Sequence, residues 1–213
     1  MHGTATPQRT RRSRRAFWLK QLHTWHWVSS AISLIGLLLF AVTGFTLHHA
    51  GAIEGAAKTS EYKATLPADL RRSVAPDDAP DSKKPIPPAV ATWIEHRLPL
   101  GTAGDAEWSA DQVYLALPRP GGDGWVAIDR ASGEVTGEST SRGWISYLND
   151  LHKARNTGGP WKLFVDVFAG ACLIFALTGL VLLQLHAARR PSTWWLVAAG
   201  LAIPTVITVV AIH

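Results

Sequence analysis

Residues 27–47 read W-V-S-S-A-I-S-L-I-G-L-L-L-F-A-V-T-G-F-T-L, 21 residues without one Asp, Glu, Lys or Arg. About 20 apolar residues carry a helix across the hydrocarbon core of a bilayer. A helix also satisfies its own backbone polar groups there. Working outward, the charge-free run reaches from residue 21 to residue 53, and two more follow at 167–188 and 191–213. All 16 acidic residues lie between Glu54 and Asp166. That segregation excludes an ordinary water-soluble globule. The expected fold class is a membrane all-α protein of three transmembrane helices. A small α+β domain is expected between helices 1 and 2.

Basic residues orient the chain. Arg9, Arg11, Arg12, Arg14, Arg15 and Lys20 precede the first span with no acid among them, and Arg189 and Arg190 fill the loop between the second and third. Residues 51–159 carry 15 acids and 12 bases and are net −3. The positive-inside rule therefore places the N-terminus and the second loop in the cytoplasm and the intervening domain on the periplasmic, or extracellular, side. The expected organisation is a basic arm at 1–20, a first helix at 21–49, a periplasmic linker and domain at 50–160, a second helix at 161–186, a loop at 187–193 and a third helix at 194–213. The run R-T-R-R-S-R-R is read as a topology determinant and not as a nucleic-acid contact, because a hydrophobic span follows it directly. A cleaved signal peptide ending near Ala50-Gly51-Ala52 is the competing reading of the first span, whose length exceeds the usual 7–15-residue signal core. Trp18, Trp25, Trp27, Trp161, Trp194 and Trp195 fall at the span ends, where Trp anchors to the interface. Asp166 is expected in the first turn of the second span, where a helix N-terminus favours a carboxylate.

In the domain, residues 51–88 are rich in Ala, Pro, Asp and Lys and read as an exposed linker. A short helix is expected over residues 90–98. Strands are expected at 112–117 (Q-V-Y-L-A-L) and 124–128 (G-W-V-A-I), joined by the turn P-R-P-G-G-D. A further strand follows D-R-A-S-G-E-V-T. Some 50 residues of this kind make a thin core. No hydrolytic triad or phosphate loop is present in the pattern.

The ligand inventory is narrow. One Cys (Cys172) excludes an internal disulfide framework and a C-x-x-C-H haem attachment. With Met1 the one methionine, nine His remain as the plentiful metal-binding type. His23 and His26 lie at the inner end of the first span, His186 at the inner end of the second. His48, His49 and His152 lie at the outer surface, with His213 at the chain end beyond the third span. At about 100° per residue, with His26 as zero, His23 falls at about +60°, His48 at about +40° and His49 at about +140°. His26 and His48 are roughly 33 Å apart along a helix, about one bilayer core. One face thus offers an imidazole at each surface, as two stacked bis-histidine haems require. A zinc, copper or iron site at the outer cluster, or purely structural histidines, are the competing readings. Gly36, Gly44, Gly170 and Gly179 leave room either for flat ring systems or for close helix contact.

The segments L-H-T-W-H-W … V-T-G, L-N-D-L-H-K-A-R-N-T-G-G-P-W-K-L and L-T-G-L-V-L-L resemble those of PepSY-associated transmembrane proteins. The sheet segment V-Y-L-A-L … G-W-V-A-I-D-R-A-S-G-E-V looks like a PepSY-type domain. The resemblance covers roughly residues 17–190 and implies a haem-binding inner-membrane reductase that releases iron from siderophores. It implies a b-type cytochrome with one or two haem b per chain. The expected pairs are His26 with His186 and His48 with His152, with His23 and His49 as substitutes. Arg142, Lys153 and Arg155 would attract an anionic ferric siderophore. The expected partners are the lipid bilayer, an electron donor (quinol or a cytosolic reductant) and a second copy or partner subunit, because larger members have more spans. The alternative is a non-redox membrane protein whose periplasmic domain binds a peptide or partner.

Overall fold

The computed structural model describes residues 7–53, 55–76 and 81–211. His213 lies outside them. The elements in chain order are α1 (Pro7–His48), α2 (Ala50–Ile53), β1 (Lys58–Thr65), α3 (Ala68–Arg71), β2 (Ser82–Pro85) and α4 (Pro88–Arg97). Then come β3 (Asp105–Trp108), β4 (Gln112–Ala116), β5 (Gly122–Asp129), β6 (Glu134–Ser141), α5 (Gly143–His152), α6 (Gly159–His186) and α7 (Thr193–Ala211). The chain divides into two compact units, one of residues up to 38 together with those from 163 onward, the other of residues 39–162.

The first unit holds the apolar helices. α1, α6 and α7 are each long and apolar enough to cross a membrane. α1 begins at Pro7, inside the basic arm, because no Pro or Gly interrupts residues 8–35 and Pro suits a first helical turn. α6 likewise begins earlier than expected, at Gly159-Pro160, so Asp166 lies beyond its first turn. Large apolar side chains such as Ile35, Trp195, Leu201 and Val210 point outward, which water would not tolerate over so large a surface. What α1 buries here is small, Ser29 and Ser33. Gly36 lies so close to the Phe168 ring that a Cβ would overlap it. Pro204 sits inside α7, which the structure carries through it to Ala211.

The second unit is built on a six-stranded antiparallel sheet of order β1-β6-β5-β4-β3-β2. Val113 and Leu115 on β4, Val126 and Ile128 on β5 and Val135 on β6 alternate onto one face and are buried, as the two-residue period of a half-buried strand dictates. Val90 and Ile94, one helical turn apart on α4, close over that core. The expected linker over residues 51–88 is corrected: β1 pairs with β6 along its whole length, from Lys58↔Ser141 to Thr65↔Glu134, and β2 pairs with β3. Leu66, Val74 and Ile86 from the same stretch enter the core. β1 and β2 are edge strands held by backbone ladders, and K-T-S-E-Y-K-A-T needs no apolar alternation to join one.

Arg130 fastens this stretch from inside. It is 4% exposed, and its guanidinium donates to the carbonyls of Val74 (3.0 Å), Ala75 (2.6 Å) and Ser109 (2.6 Å). It also lies over the Trp108 ring. A guanidinium carries five N–H donors in a fixed planar fork, which lets three of its nitrogens reach three separate carbonyls while its face lies over the indole.

Candidate functional site

Two of the expected ligands are held by distant parts of the chain. In the first unit, His26 on α1 places Nδ1 3.0 Å from the Thr178 hydroxyl on α6. Its ring stacks on Phe175 at 5.0 Å and 18°. Gly179 faces the same ring, and a Cβ there would come within 3.2 Å of Cε1. In the second unit, His152 at the end of α5 places Nδ1 2.7 Å from the Thr43 hydroxyl on α1. Phe40 lies 5.0 Å from that ring at 43°. A Cβ on Gly44 would come within 3.4 Å of Cε1. Both imidazoles are partly buried, and among the described residues no hydrogen bond reaches either Nε2.

The two arrangements use the same parts in the same order. Residues 40–44 are F-A-V-T-G and residues 175–179 are F-A-L-T-G. Phe and Thr three residues apart, with Gly next, present a ring, a hydroxyl and a gap to one face of a helix. Both threonines turn their own protons into the helix. Thr43 donates to Leu39 O (2.9 Å) and Phe40 O (3.3 Å), and Thr178 donates to Ile174 O (2.7 Å) and Phe175 O (3.1 Å). Three of the four glycines noted from sequence therefore serve close contact: Gly36 with Phe168, Gly44 with His152 and Gly179 with His26. Gly170 faces open space.

The other histidines sit differently. His23, His49 and His186 are exposed, and each donates Nδ1–H to the carbonyl four residues earlier: Leu19 (2.8 Å), Phe45 (3.0 Å) and Leu182 (2.8 Å). His48 is exposed and meets His49 edge-on at 4.8 Å. The expected pairs each fall inside one unit, His26 and His186 in the first, His48 and His152 in the second. Among the described residues no group of three or more His, Cys, Asp or Glu converges as a metal cluster would.

α5 is what delivers His152. Asp150, 1% exposed, accepts the Gly121 N–H at 2.8 Å and Arg155 Nε at 2.7 Å. Asn149 accepts the Thr46 hydroxyl at 3.2 Å, and Trp161 Nε1 donates to Leu151 O at 3.0 Å. His152 then lines a small cavity of about 20 Å³ together with Leu39, Leu148, Leu151 and Trp161. Of the three cations expected to attract an anion, Arg155 is thus paired with Asp150, and Arg142 with Asp123 at 2.6 Å. Lys153 is exposed, and among the described residues it makes no ion pair. In the first unit an apolar groove of about 650 Å³ runs past Phe17, Trp18, Gln21 and Trp25 to Thr178, the same threonine that holds His26.

Reading the sequence alone misses Thr43 and Thr178, because each meets its histidine more than 100 residues away. The signal that finds them is the repeated pentapeptide. No curated protein and no solved structure matches the chain. A family model does match, over residues 17–213, and its description is PepSY_TM-like. With three helices long and apolar enough to cross a membrane and a match spanning nearly the whole chain, this protein belongs to the PepSY_TM-like family of membrane proteins.

Proposed function

We propose that this protein is a b-type cytochrome of the bacterial inner membrane, passing electrons from an inner donor to a ferric chelate on the periplasmic side. The observation that supports it is the pair of cradled imidazoles. His26 and His152 each have Nδ1 engaged by a hydroxyl and a second nitrogen left open. Metal-ligating histidines are commonly held in this way through their other ring nitrogen. The residues therefore fit haem iron, which accepts axial imidazole. His186 and His48, each in the same unit as its expected partner, are the other residues that would hold it.

Haem, when bound, supplies one-electron redox chemistry. The chain's own residues hold the rings and keep them partly dry. No general acid or nucleophile is needed for outer electron transfer. The donor is a quinol or a cytosolic reductant. The acceptor is a ferric siderophore or similar anionic chelate, which the exposed Lys153 would help attract.

The test is the purified protein from haem-supplied cells. It is expected to be red, with Soret and α bands that sharpen on dithionite reduction. His26→Ala and His152→Ala are each expected to lower the haem-to-protein ratio, and His48→Ala and His186→Ala to do so with their partners. A colourless preparation overturns the cytochrome. A reduced haem protein that no ferric siderophore reoxidises removes the reductase activity and leaves electron transfer.

A further inference from the structure

We infer that Thr43 and Thr178 are positioning residues that set the tautomer of His152 and His26, and that the repeated F-A-x-T-G segment is the unit that does so. The argument starts from the hydroxyl proton. Each threonine has a single O–H, and each spends it on carbonyls of its own helix three and four residues back. What its oxygen then has left toward the imidazole is lone pairs alone. The contacts of 3.0 Å at His26 and 2.7 Å at His152 are therefore Nδ1–H donating to Oγ1. A neutral imidazole carries one N–H, so Nε2 of both rings is the bare, ligating nitrogen.

Phe and Gly complete the device. The phenyl ring, one helical turn before Thr, lies against the imidazole, and the glycine leaves room at Cε1, where a Cβ would come within 3.2 Å at Gly179 and 3.4 Å at Gly44. The same three contacts recur on two helices, against histidines supplied from different elements. A purely packing role does not require the hydroxyl, since Val has the same shape. A tautomer-setting role does.

The use of the bare nitrogen rests on the cytochrome reading; the tautomer does not, and the experiment separates them. Full-length, haem-free protein labelled with ¹⁵N-histidine in lipid gives imidazole proton–nitrogen correlations. His26 and His152 are expected as Nδ1–H tautomers. Thr178→Val is expected to abolish that state at His26 alone, and Thr43→Val at His152 alone, while Thr→Ser at either position restores it. An Nε2–H tautomer in the wild type, or Val variants that leave both signals unchanged, overturns the inference whatever the haem content. If the protein takes up haem, the Val variants are expected to retain it roughly 10-fold more weakly. Serine variants are expected to hold it as the wild type does. A colourless protein with the expected tautomers would sink the cytochrome and leave this inference standing.

Discussion

Gly179 and His26 approach so closely that a methyl group on the glycine would lie 3.2 Å from the imidazole Cε1, whereas the corresponding clearance between Gly44 and His152 is 3.4 Å. The first distance requires the ring to move, and the second is ordinary van der Waals contact. Gly179→Ala is therefore expected to displace its histidine and Gly44→Ala to leave its own nearly in place. Histidine ¹⁵N shifts of the two variants check this; equal perturbation of both rings would show that clearance is not what the glycines provide.

Gly36→Ala tests the neighbouring contact in the helical unit. The added methyl meets the face of Phe168, and overpacking of this kind costs about 1–3 kcal/mol. Thermal unfolding in detergent is expected to shift down for Gly36→Ala and to recover in the double variant with Phe168→Leu. Failure of the second change to rescue the first would place the clash elsewhere.

Arg155→Ala leaves the buried carboxylate of Asp150 with the Gly121 N–H but without its guanidinium. Hydrogen bonds to charged groups are worth about 1.5–3 kcal/mol, and the exposure of Arg155 pulls the expected loss toward the lower end of that range. Amide exchange over α5 and at Gly121 is expected to quicken together. Faster exchange at α5 with Gly121 unchanged would mean that the carboxylate holds the loop without help.

Arg130→Met removes the fork that serves three carbonyls. Leaving these unsatisfied is expected to cost on the order of 3 kcal/mol. Because two of the acceptors are Val74 and Ala75, trypsin cleavage after Arg71 or Arg72 is expected to accelerate at least about tenfold, the ratio that 1.4 kcal/mol already gives when cleavage follows local opening. An unchanged cleavage rate would show that the edge strand alone secures the segment.

Asp129 supplies a pH signature outside the spans. Its carboxylate accepts the Ser132 N–H and hydroxyl, both at 2.7 Å, and these bonds, the backbone one first, hold its pKa below the ordinary 3.8. A lowered carboxylate pKa contributes stability that is present above the unfolded value and is lost as pH falls through the folded one. The Ser132 amide shift is expected to titrate with a midpoint below 3.8. A midpoint at or above it would mean that the turn does not favour the ionised form.

Much of this was legible beforehand, for identifiable reasons. Charge-free runs announce spans because the bilayer penalises charge at every position, and β4 and β5 declare themselves because Val113, Leu115, Val126 and Ile128 alternate. β1 was silent, since an edge strand paired through its backbone can be polar throughout. The histidines stood out by number and place. Their threonine partners did not, because contacts spanning 109 and 152 residues leave no local trace. Only the similarity of residues 40–44 to 175–179 marks them.

Asp150 and His152 are two positions apart on α5, so their side chains leave the helix on nearly opposite sides. One is tied to the turn before β5, the other to α1. α5 is thus joined to the sheet at both ends of its length, by Arg142 N–H donating to Gly121 O and by Gly121 N–H donating to Asp150. A displacement of the turn before β5 would therefore be passed on through α5 to the His152 imidazole.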